Sequence, residues 1–259
     1  MRRSVRPAHG GGGPRGGGGR PAVARRRTRR QPAPRGGQGV GGERVSTSDG
    51  AGSVIAGIVL AAGSSSRLGG ETPKQLLVLN GRPLVQHAVD TVAEAGLDPI
   101  VVVLGHRAED VERALVLPSN ARTVRNALFA TGQASSLVAG LDALGPEVSA
   151  AVIVLGDQPE LPAEHVCRLV DAYRTARRPI VRARYRDGVP GHPVVLGREV
   201  WPRVRELLGD TGARDLIERD PGLVAEVVFD APAPEDIDTM ANYRAALARA
   251  DRQGRGGGS

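Results

Sequence analysis

The fold is decided by the stretch Val54-Ile-Ala-Gly-Ile-Val-Leu-Ala-Ala-Gly63-Ser-Ser-Ser-Arg67-Leu-Gly-Gly-Glu-Thr-Pro-Lys74. Its first part, residues 54–60, is an apolar run that is long enough for a strand buried on both faces and too short for a helix. Gly63 and the serines then open a loop with many exposed backbone N–H groups. Because open α/β sheets bind anions in such loops, at the carboxyl ends of parallel strands, this stretch predicts a phosphate-binding loop.

Lys74 is the single lysine among 35 basic residues, and it ends this loop. An ammonium is a compact point charge on a flexible stem, whereas a guanidinium is a flat fork, so a polyphosphate site cannot freely exchange the two. Chance placement is the alternative explanation. The loop matches neither G-x-x-x-x-G-K-[ST] nor G-x-G-x-x-G, which disfavours a P-loop ATPase and a standard dinucleotide-binding oxidoreductase.

Residues 1–53 have a different composition from the rest of the chain. They contain 12 Arg, 15 Gly and 5 Pro, with little to bury, so we expect a disordered tail. The tail carries 12 basic and 2 acidic residues and the following 206 residues carry 23 and 26, so the pI near 10.7 describes the tail. We therefore expect no nucleic-acid partner for the folded part.

A further hypothesis is that translation begins at Val45, after a purine-rich, ribosome-binding-like stretch that encodes Gly41-Gly42-Glu43. Mass spectrometry of the native N-terminus tests it, and any tryptic peptide from residues 1–40 would contradict it. The tail has no apolar region typical of a signal, and no stretch approaches a membrane span. Cys167, the single cysteine, falls at an apolar-periodic position of a predicted helix, so we expect a core residue in a reducing, cytoplasmic setting.

From residue 54 onward, apolar strand patterns alternate with helical ones, which predicts one α/β domain over residues 54–250 and a frayed end over 251–259. The predicted strands are 54–60, 99–104, 121–125, 150–155, 179–184, 192–196 and 223–229. The predicted helices are 83–95, 107–115, 134–144, 163–176, 199–207, 212–219 and 239–250. The sheet is expected to be mostly parallel, with a short antiparallel excursion where Asp187-Gly188 predicts a hairpin.

Two carboxylates are placed to reach the same edge of the sheet. Asp157 follows the fourth predicted strand, and Asp238 lies between the last strand and the last helix. An Asx turn and a helix N-cap are their structural alternatives. Because Mg2+ takes one or two carboxylates and completes its octahedron with phosphate oxygens and water, the pair predicts a site for a Mg-nucleotide. No Ser-His-Asp, Cys-His or zinc-type spacing is present.

Taken together, these motifs resemble the MobA/MocA-like NTP transferase family, closest to the molybdenum cofactor cytidylyltransferases, over residues 55–248. The matching segments are Leu60-Ala61-Ala62-Gly63-Ser-Ser-Ser-Arg67-Leu-Gly69, Pro73-Lys74-Gln-Leu-Leu, Gly156-Asp157-Gln158-Pro159, Gly191-His192-Pro193, Gly209-Asp210-Thr-Gly212-Ala213-Arg214 and Asp236-Ile-Asp238-Thr239. The resemblance implies a three-layer Rossmann-like fold of the nucleotide-diphospho-sugar transferase type.

The resemblance also implies site residues. Nucleotide-binding residues would be Leu60, Ala61, Ala62, Gly63, Ser135 and Ser136; catalytic residues Arg67, Lys74 and Asp157; metal ligands Asp157 and Asp238; and acceptor-binding residues His192, Gly212 and Arg214. For the two serines, helix capping is the structural alternative. For the segment from Gly209 to Arg214, the alternative is a helix start capped by Asp210 or Thr211.

The function implied is Mg-dependent transfer of CMP from CTP to the terminal phosphate of a molybdopterin-type cofactor, with release of pyrophosphate. Leu-Ala-Ala-Gly, rather than Leu-Ala-Gly-Gly, favours CTP within the family. The implied partners are CTP, a phosphorylated pterin and a molybdenum hydroxylase apoenzyme. Open alternatives are a GTP-using guanylyltransferase, a cytidylyltransferase for a sugar or polyol phosphate, a nucleotide-binding insertion chaperone and an oxidoreductase.

Overall fold

The computed structural model describes residues 53–64, 72–210 and 212–256. Nine strands are assigned there: β1 Val54–Ala61, β2 Val78–Leu79, β3 Arg82–Pro83, β4 Ile100–Leu104, β5 Ala121–Arg125, β6 Val148–Leu155, β7 Ile180–Arg184, β8 Pro190–Gly197 and β9 Val224–Val228. Seven α-helices accompany them: α1 Leu84–Glu94, α2 Ala108–Ala114, α3 Gln133–Asp142, α4 Ala163–Thr175, α5 Trp201–Val204, α6 Arg214–Arg219 and α7 Met240–Gly256. The expected tail, Arg67 and residues 257–259 lie outside the described residues.

Seven of the strands form one sheet in the order β5-β4-β1-β6-β8-β7-β9. All neighbouring strands are parallel except at β8, which is antiparallel to both β6 and β7. The predicted antiparallel excursion is therefore confirmed, with the turn at Asp187-Gly188 between β7 and β8. The two-residue strands β2 and β3 pair in a separate hairpin that the sequence patterns did not indicate.

Helices cover both faces of the sheet, which gives the three layers expected. On one face, α1 and α4 pack their apolar residues onto alternate side chains of β1, β4 and β6. On the other face, α3, α5 and α6 pack onto the intervening side chains of the same strands. The central strands are buried on both sides, since β4 is buried at all five positions. Burial of each large apolar side chain contributes about 1.5–3 kcal/mol, so these two layers hold the sheet in place.

The chain reverses its direction of travel across the sheet at β1. It moves from β1 to β4 and β5 on one side and then returns to β6 on the other side. In an open α/β sheet, the crevice outside the carboxyl ends of two such strands is the usual place for a ligand. This topology puts the loop after β1 next to the loop after β6.

Two details of the helices differ from the sequence expectation. Cys167 is exposed, so its prediction as a core residue was wrong. The buried face of α4 is formed by His165, Val166, Leu169 and Val170, which leaves position 167 facing away from the sheet. Helix α7 continues to Gly256, beyond residue 250 where a frayed end was expected. Within the described residues, no helix combines the length and apolar character needed to cross a membrane.

Candidate active site

A cavity of about 560 Å³ opens at the carboxyl edge of β1 and β6. A pocket of this size is ordinary for a nucleotide-sized ligand. Its wall combines the loops after β1 and β6, the turn at Lys74, the start of α3 and two distant acidic residues. The lining residues are Leu60, Ala62, Gly63, Ser64, Lys74, Gln75, Phe129, Ala130, Gly132, Gln133, Ser136, Leu155, Gly156, Asp157, Asp210 and Asp238.

Lys74 lies between the two predicted metal ligands. Its Nζ donates to Asp157 Oδ2 at 2.5 Å and to Asp238 Oδ1 at 2.6 Å. Lys74 begins a single 3₁₀ turn, and the next residue, Gln75, is buried and donates from Nε2 to the carbonyl of Gly63 at 3.1 Å. This bond ties the lysine turn to the loop after β1. The structure thus brings together three residues that are up to 164 positions apart.

The charge balance of this cluster favours a charged lysine. Burial lowers the pKa of Lys74, but the carboxylates of Asp157 and Asp238 outweigh burial and raise the pKa above its usual value. Only 11% of the Lys74 side chain is exposed, so the ion pairs are weakly screened by solvent. Lys74 therefore stays an ammonium across the physiological pH range.

Asp157 and Asp238 fit a divalent cation. Oδ1 of Asp157 is buried and has no hydrogen-bond partner among the described residues, which leaves one oxygen for a further ligand. The described residues include no group of three or more His, Cys, Asp or Glu side chains arranged to hold a metal. Two carboxylates are nevertheless what Mg2+ uses when phosphate oxygens and water complete its octahedron. The Ile237 N–H donates to the Asp157 carbonyl at 3.0 Å and holds the two segments together.

Residues at the end of β1 and in the loop after it differ in whether they line the cavity. Leu60, Ala62 and Gly63 line the cavity, whereas Ala61 is buried in β1 and does not. The alternation follows from the strand period of two, which turns Ala61 to the opposite face of the sheet. Arg67 lies outside the described residues.

The opposite wall is formed by the first turn of α3 and the loop before it. Ser136 lines the cavity and Ser135 does not. Both hydroxyls accept hydrogen bonds from Asn126 Nδ2, at 2.9 Å for Ser135 and 3.0 Å for Ser136. The sequence reading missed Asn126, because one asparagine after an edge strand has no spacing that marks it. Neither serine side chain caps α3.

A distant loop caps α3 instead. The Ala134 N–H donates to the Gly209 carbonyl at 3.0 Å, and the Gln133 N–H donates to Asp210 Oδ1 at 3.3 Å. Helix α6 has Ala213 as its N-cap, so the alternative in which Asp210 caps this helix is wrong, while Thr211 lies outside the described residues. Asp210 supplies an acceptor to the first turn of α3, where orphan N–H groups and the helix dipole favour an anion.

The three predicted acceptor-binding residues lie beside the cavity, and none lines it. His192 is partly buried, and its carbonyl accepts from the buried Tyr185 hydroxyl at 2.6 Å. Burial lowers the pKa of His192 to about 4, with Asp157 opposing and Arg214 adding to the shift. Gly212 is buried next to Gln133, and Arg214 is exposed at the start of α6.

A family model described as the MobA-like NTP transferase domain matches residues 57–224. Among curated proteins, nicotine blue oxidoreductase from Paenarthrobacter nicotinovorans is 36% identical over 195 residues, which are 72% of this chain and 93% of that protein. The family model spans the loop after β1, Lys74 and the loop after β6.

Solved structures with the same fold include relatives above 25% identity. The crystal structure of Rv0371c from Mycobacterium tuberculosis H37Rv has a TM-score of 0.68 and 34% identity, covering 76% of this chain and 98% of that one. The same protein has been solved in complex with manganese, with a TM-score of 0.65 and 30% identity over 76% of this chain and 98% of that one. A nucleotidyl transferase from Methanothermobacter thermautotroptrophicus has a TM-score of 0.67 and 27% identity, covering 78% of this chain and all of that one.

Proposed function

The chain belongs to the family of MobA-like NTP transferase domains and is a nucleotidyltransferase, and we propose that it moves CMP from CTP onto the terminal phosphate of a molybdopterin-type cofactor. The observation that carries the proposal is the contact of Lys74 with Asp157 and Asp238 at one end of the cavity. A cation between two carboxylates, beside Gly63 and Ser64 of the loop after β1, matches the positioning and charge neutralisation on which phosphoryl-group chemistry depends.

In the proposed reaction, an oxygen of the acceptor phosphate attacks the α-phosphorus of CTP. The new bond joins that oxygen to the α-phosphorus, the bond from the α-phosphorus to the bridging oxygen breaks, and pyrophosphate leaves. The acceptor phosphate is an anion at neutral pH, so no strong base is needed. Lys74 exchanges its carboxylate partners for the triphosphate and neutralises the charge that develops on pyrophosphate.

Asp157 and Asp238 are the proposed ligands of a divalent cation. When bound, the cation supplies charge neutralisation on the phosphates. Manganese in the structure of a relative at 30% identity supports a divalent metal, and we propose Mg2+ for this chain. The unpartnered Oδ1 of Asp157 is the atom that supports this assignment within the chain itself.

The preference for CTP is proposed from Ala62 in the Leu-Ala-Ala-Gly motif and from Ser136 on the opposite wall. Ala62 and Ser136 both line the cavity, so both can contact a base bound there. The acceptor would bind toward His192, Gly212 and Arg214, where Arg214 offers a charge for a phosphate. A cytoplasmic location and a molybdenum hydroxylase apoenzyme as recipient of the product complete the proposal.

The test is pyrophosphate release from each of the four nucleoside triphosphates with Mg2+, with and without molybdenum-loaded molybdopterin. Release from CTP alone, and only with the pterin, is the expected result. Release from GTP would instead identify a guanylyltransferase, and release with a sugar or polyol phosphate would change the acceptor. Nucleotide binding without release, measured by calorimetry, would favour an insertion chaperone. Asp157→Asn keeps the size of the side chain and removes its charge, and this variant should release no pyrophosphate.

A redox activity is the second candidate, and a specific observation favours it. The relative named nicotine blue oxidoreductase aligns over 93% of its own length. The absence of G-x-G-x-x-G speaks against a standard dinucleotide site. Reduction of a blue dye by NADH or NADPH, followed at the dye's absorbance with the purified protein, separates the two functions. Reduction by the wild type that is lost in Lys74→Met would place a second, redox activity in this cavity, and no reduction by the wild type would exclude the redox candidate.

A further inference from the structure

Asn126 is a buried side chain that joins the loop after β5 to the first turn of α3, on the side of the cavity proposed for the base. Its exposed fraction is 6%, and its own N–H donates to the carbonyl of Leu104 at 2.7 Å, which anchors it to the end of β4. Its Oδ1 accepts from the Leu128 N–H at 2.9 Å. Its Nδ2 donates to Ser135 and Ser136 at 2.9 and 3.0 Å. One amide therefore fixes the loop after β5 and the first turn of α3 together.

The two serines use their protons differently. Ser135 Oγ accepts from Asn126 and lies within donating distance of the carbonyls of Leu128 and Gly132, at 2.9 and 2.8 Å. Its proton is therefore used inside the loop. Ser136 Oγ also accepts from Asn126, but no acceptor for its proton is found among the described residues. Ser136 is the serine that faces the cavity.

We propose that Asn126 is a positioning residue that forces the Ser136 hydroxyl to act as a hydrogen-bond donor to the nucleobase. An amide NH2 can only donate, so it occupies a lone pair of the hydroxyl and leaves the O–H directed elsewhere. The open side of Ser136 is the cavity. Cytosine offers acceptor atoms on its pairing edge, which a fixed donor recognises. This inference rests on the proposed function, because it assumes that the ligand carries a base.

Asn126→Asp tests the polarity of this contact without changing the size of the side chain. A carboxylate only accepts hydrogen bonds, so the Ser136 hydroxyl would turn and donate to residue 126 instead of to the base. The phosphate end, formed by Lys74, Asp157 and Asp238, makes no contact with residue 126 and should keep its affinity. The prediction is a selective loss of base recognition.

The experiment is titration calorimetry with two probes in the presence of Mg2+, CTP and inorganic tripolyphosphate, which has no base. In Asn126→Asp we expect CTP to bind about tenfold more weakly and tripolyphosphate to bind as in the wild type. Asn120→Asp, at the other end of β5, is the matched control and should change neither affinity. Ser136→Ala should reproduce the selective loss, and the double variant should be no weaker than either single variant.

Two results would overturn the inference. One is wild-type discrimination between CTP and tripolyphosphate in Asn126→Asp; the other is an equal loss for both probes, which is what a structural role produces. If Asn126→Asp fails to fold, unchanged discrimination in Ser136→Ala overturns the inference by itself. If the wild type binds another nucleoside triphosphate more tightly than CTP, the proposal of CTP as the substrate is wrong. The affinities of the variants are then measured with the preferred nucleotide and compared with tripolyphosphate in the same way. If the wild type binds no nucleotide more tightly than tripolyphosphate, both proposals fail.

Discussion

At the scale of single residues, Lys74 has the strongest predicted effect on turnover. Lys74→Met keeps the length of the side chain and removes the charge between Asp157 and Asp238. We expect kcat for pyrophosphate release to fall about 100- to 1,000-fold, the cost of losing one preorganised charge at a developing anion. Steady-state kinetics with the nucleotide and acceptor that the release assay identifies measures it.

Lys74→Arg is the informative control for this prediction. It restores a positive charge, but a planar fork does not fit the place where one ammonium contacts two carboxylates at 2.5 and 2.6 Å. We therefore expect only weak recovery of kcat. Turnover equal to the wild type in Lys74→Met would remove Lys74 from the mechanism.

His192 makes folding sensitive to pH in the metal-free protein. Its pKa is lowered to about 4 in the folded state, below an ordinary value near 6.5, so the unfolded chain binds a proton first as the pH falls. The contribution of His192 to the free energy of unfolding is therefore fully present above the pKa of the unfolded state. This contribution decreases as the pH falls toward 4, by at most about 3 kcal/mol. Urea unfolding at pH 7 and pH 5 measures the loss.

His192→Asn isolates this contribution from that of the other histidines. Burial also lowers the pKa of His165, which is present in both proteins and cancels in the comparison. The variant should lose less stability than the wild type between pH 7 and pH 5. Equal losses in the two proteins would show that His192 titrates normally.

At the scale of elements, the cap of α3 depends on Gly132. Its φ is +117°, and a Cβ at this position would lie 2.3 Å from the carbonyl carbon of Gly209, the residue that caps the helix. Gly132→Ala must therefore either strain the backbone or push the capping loop away. We expect a loss of about 3 kcal/mol in the free energy of unfolding. Urea denaturation measures it, with the same slope m confirming an unchanged fold.

Gly96→Ala, just after α1, is the comparison variant for this prediction. Gly96 also has a positive φ, +72°, but nothing lies within 4 Å of the position of its Cβ, whereas Gly132 combines φ +117° with ψ 171°, a conformation essentially confined to glycine. Gly96→Ala should therefore cost only the backbone strain, about 1–2 kcal/mol. If both variants lose the same amount, the close approach of Gly209 contributes nothing.

At the scale of the whole molecule, the site joins segments from residue 60 to residue 238. A ligand that binds all of them stabilises only the folded state. At a concentration of 100 times its Kd, Mg-CTP should add about 2.7 kcal/mol to the stability. For a domain of this size that corresponds to a rise in Tm of roughly 5–10 °C, measured by scanning fluorimetry. Chelation of the metal with EDTA should reduce the rise, and an unchanged Tm would contradict the proposed binding mode.

Much of this arrangement was predictable from the sequence. The apolar run before Gly63 and the run before Asp157 marked β1 and β6, and parallel strands bring their carboxyl ends to one edge. The convergence of Lys74 and Asp157 follows from that rule. The contact of Asp238 was harder to predict, because the segment between β9 and α7 has no regular structure and its path is set by contacts such as that of Ile237 with Asp157.

Contacts between loops escaped sequence reasoning altogether. Asp210 is 77 positions from the N–H group that it accepts from, and no local pattern encodes that pairing. No local sequence pattern indicates a role for Asn126 either. Cys167 was predicted to be a core residue because α4 carries apolar residues on more than one side of the helix. The buried face contains Val166, Leu169 and Val170, and His165 on the same face packs its ring 4.0 Å from that of Phe229.

The hydrogen bonds around Asn126 also bear on how this protein could be re-engineered. The segment from Asn126 to Leu137 is held by its own side chains and by the loop at Gly209 and Asp210, while the phosphate end is held by other loops that are fixed to one another. The side chains on the base side of the cavity can therefore be varied separately from those at the phosphate end. A library confined to the 12 consecutive residues from 126 to 137, with Gly132 kept, can vary the choice of base and leave the machinery for pyrophosphate release unaltered.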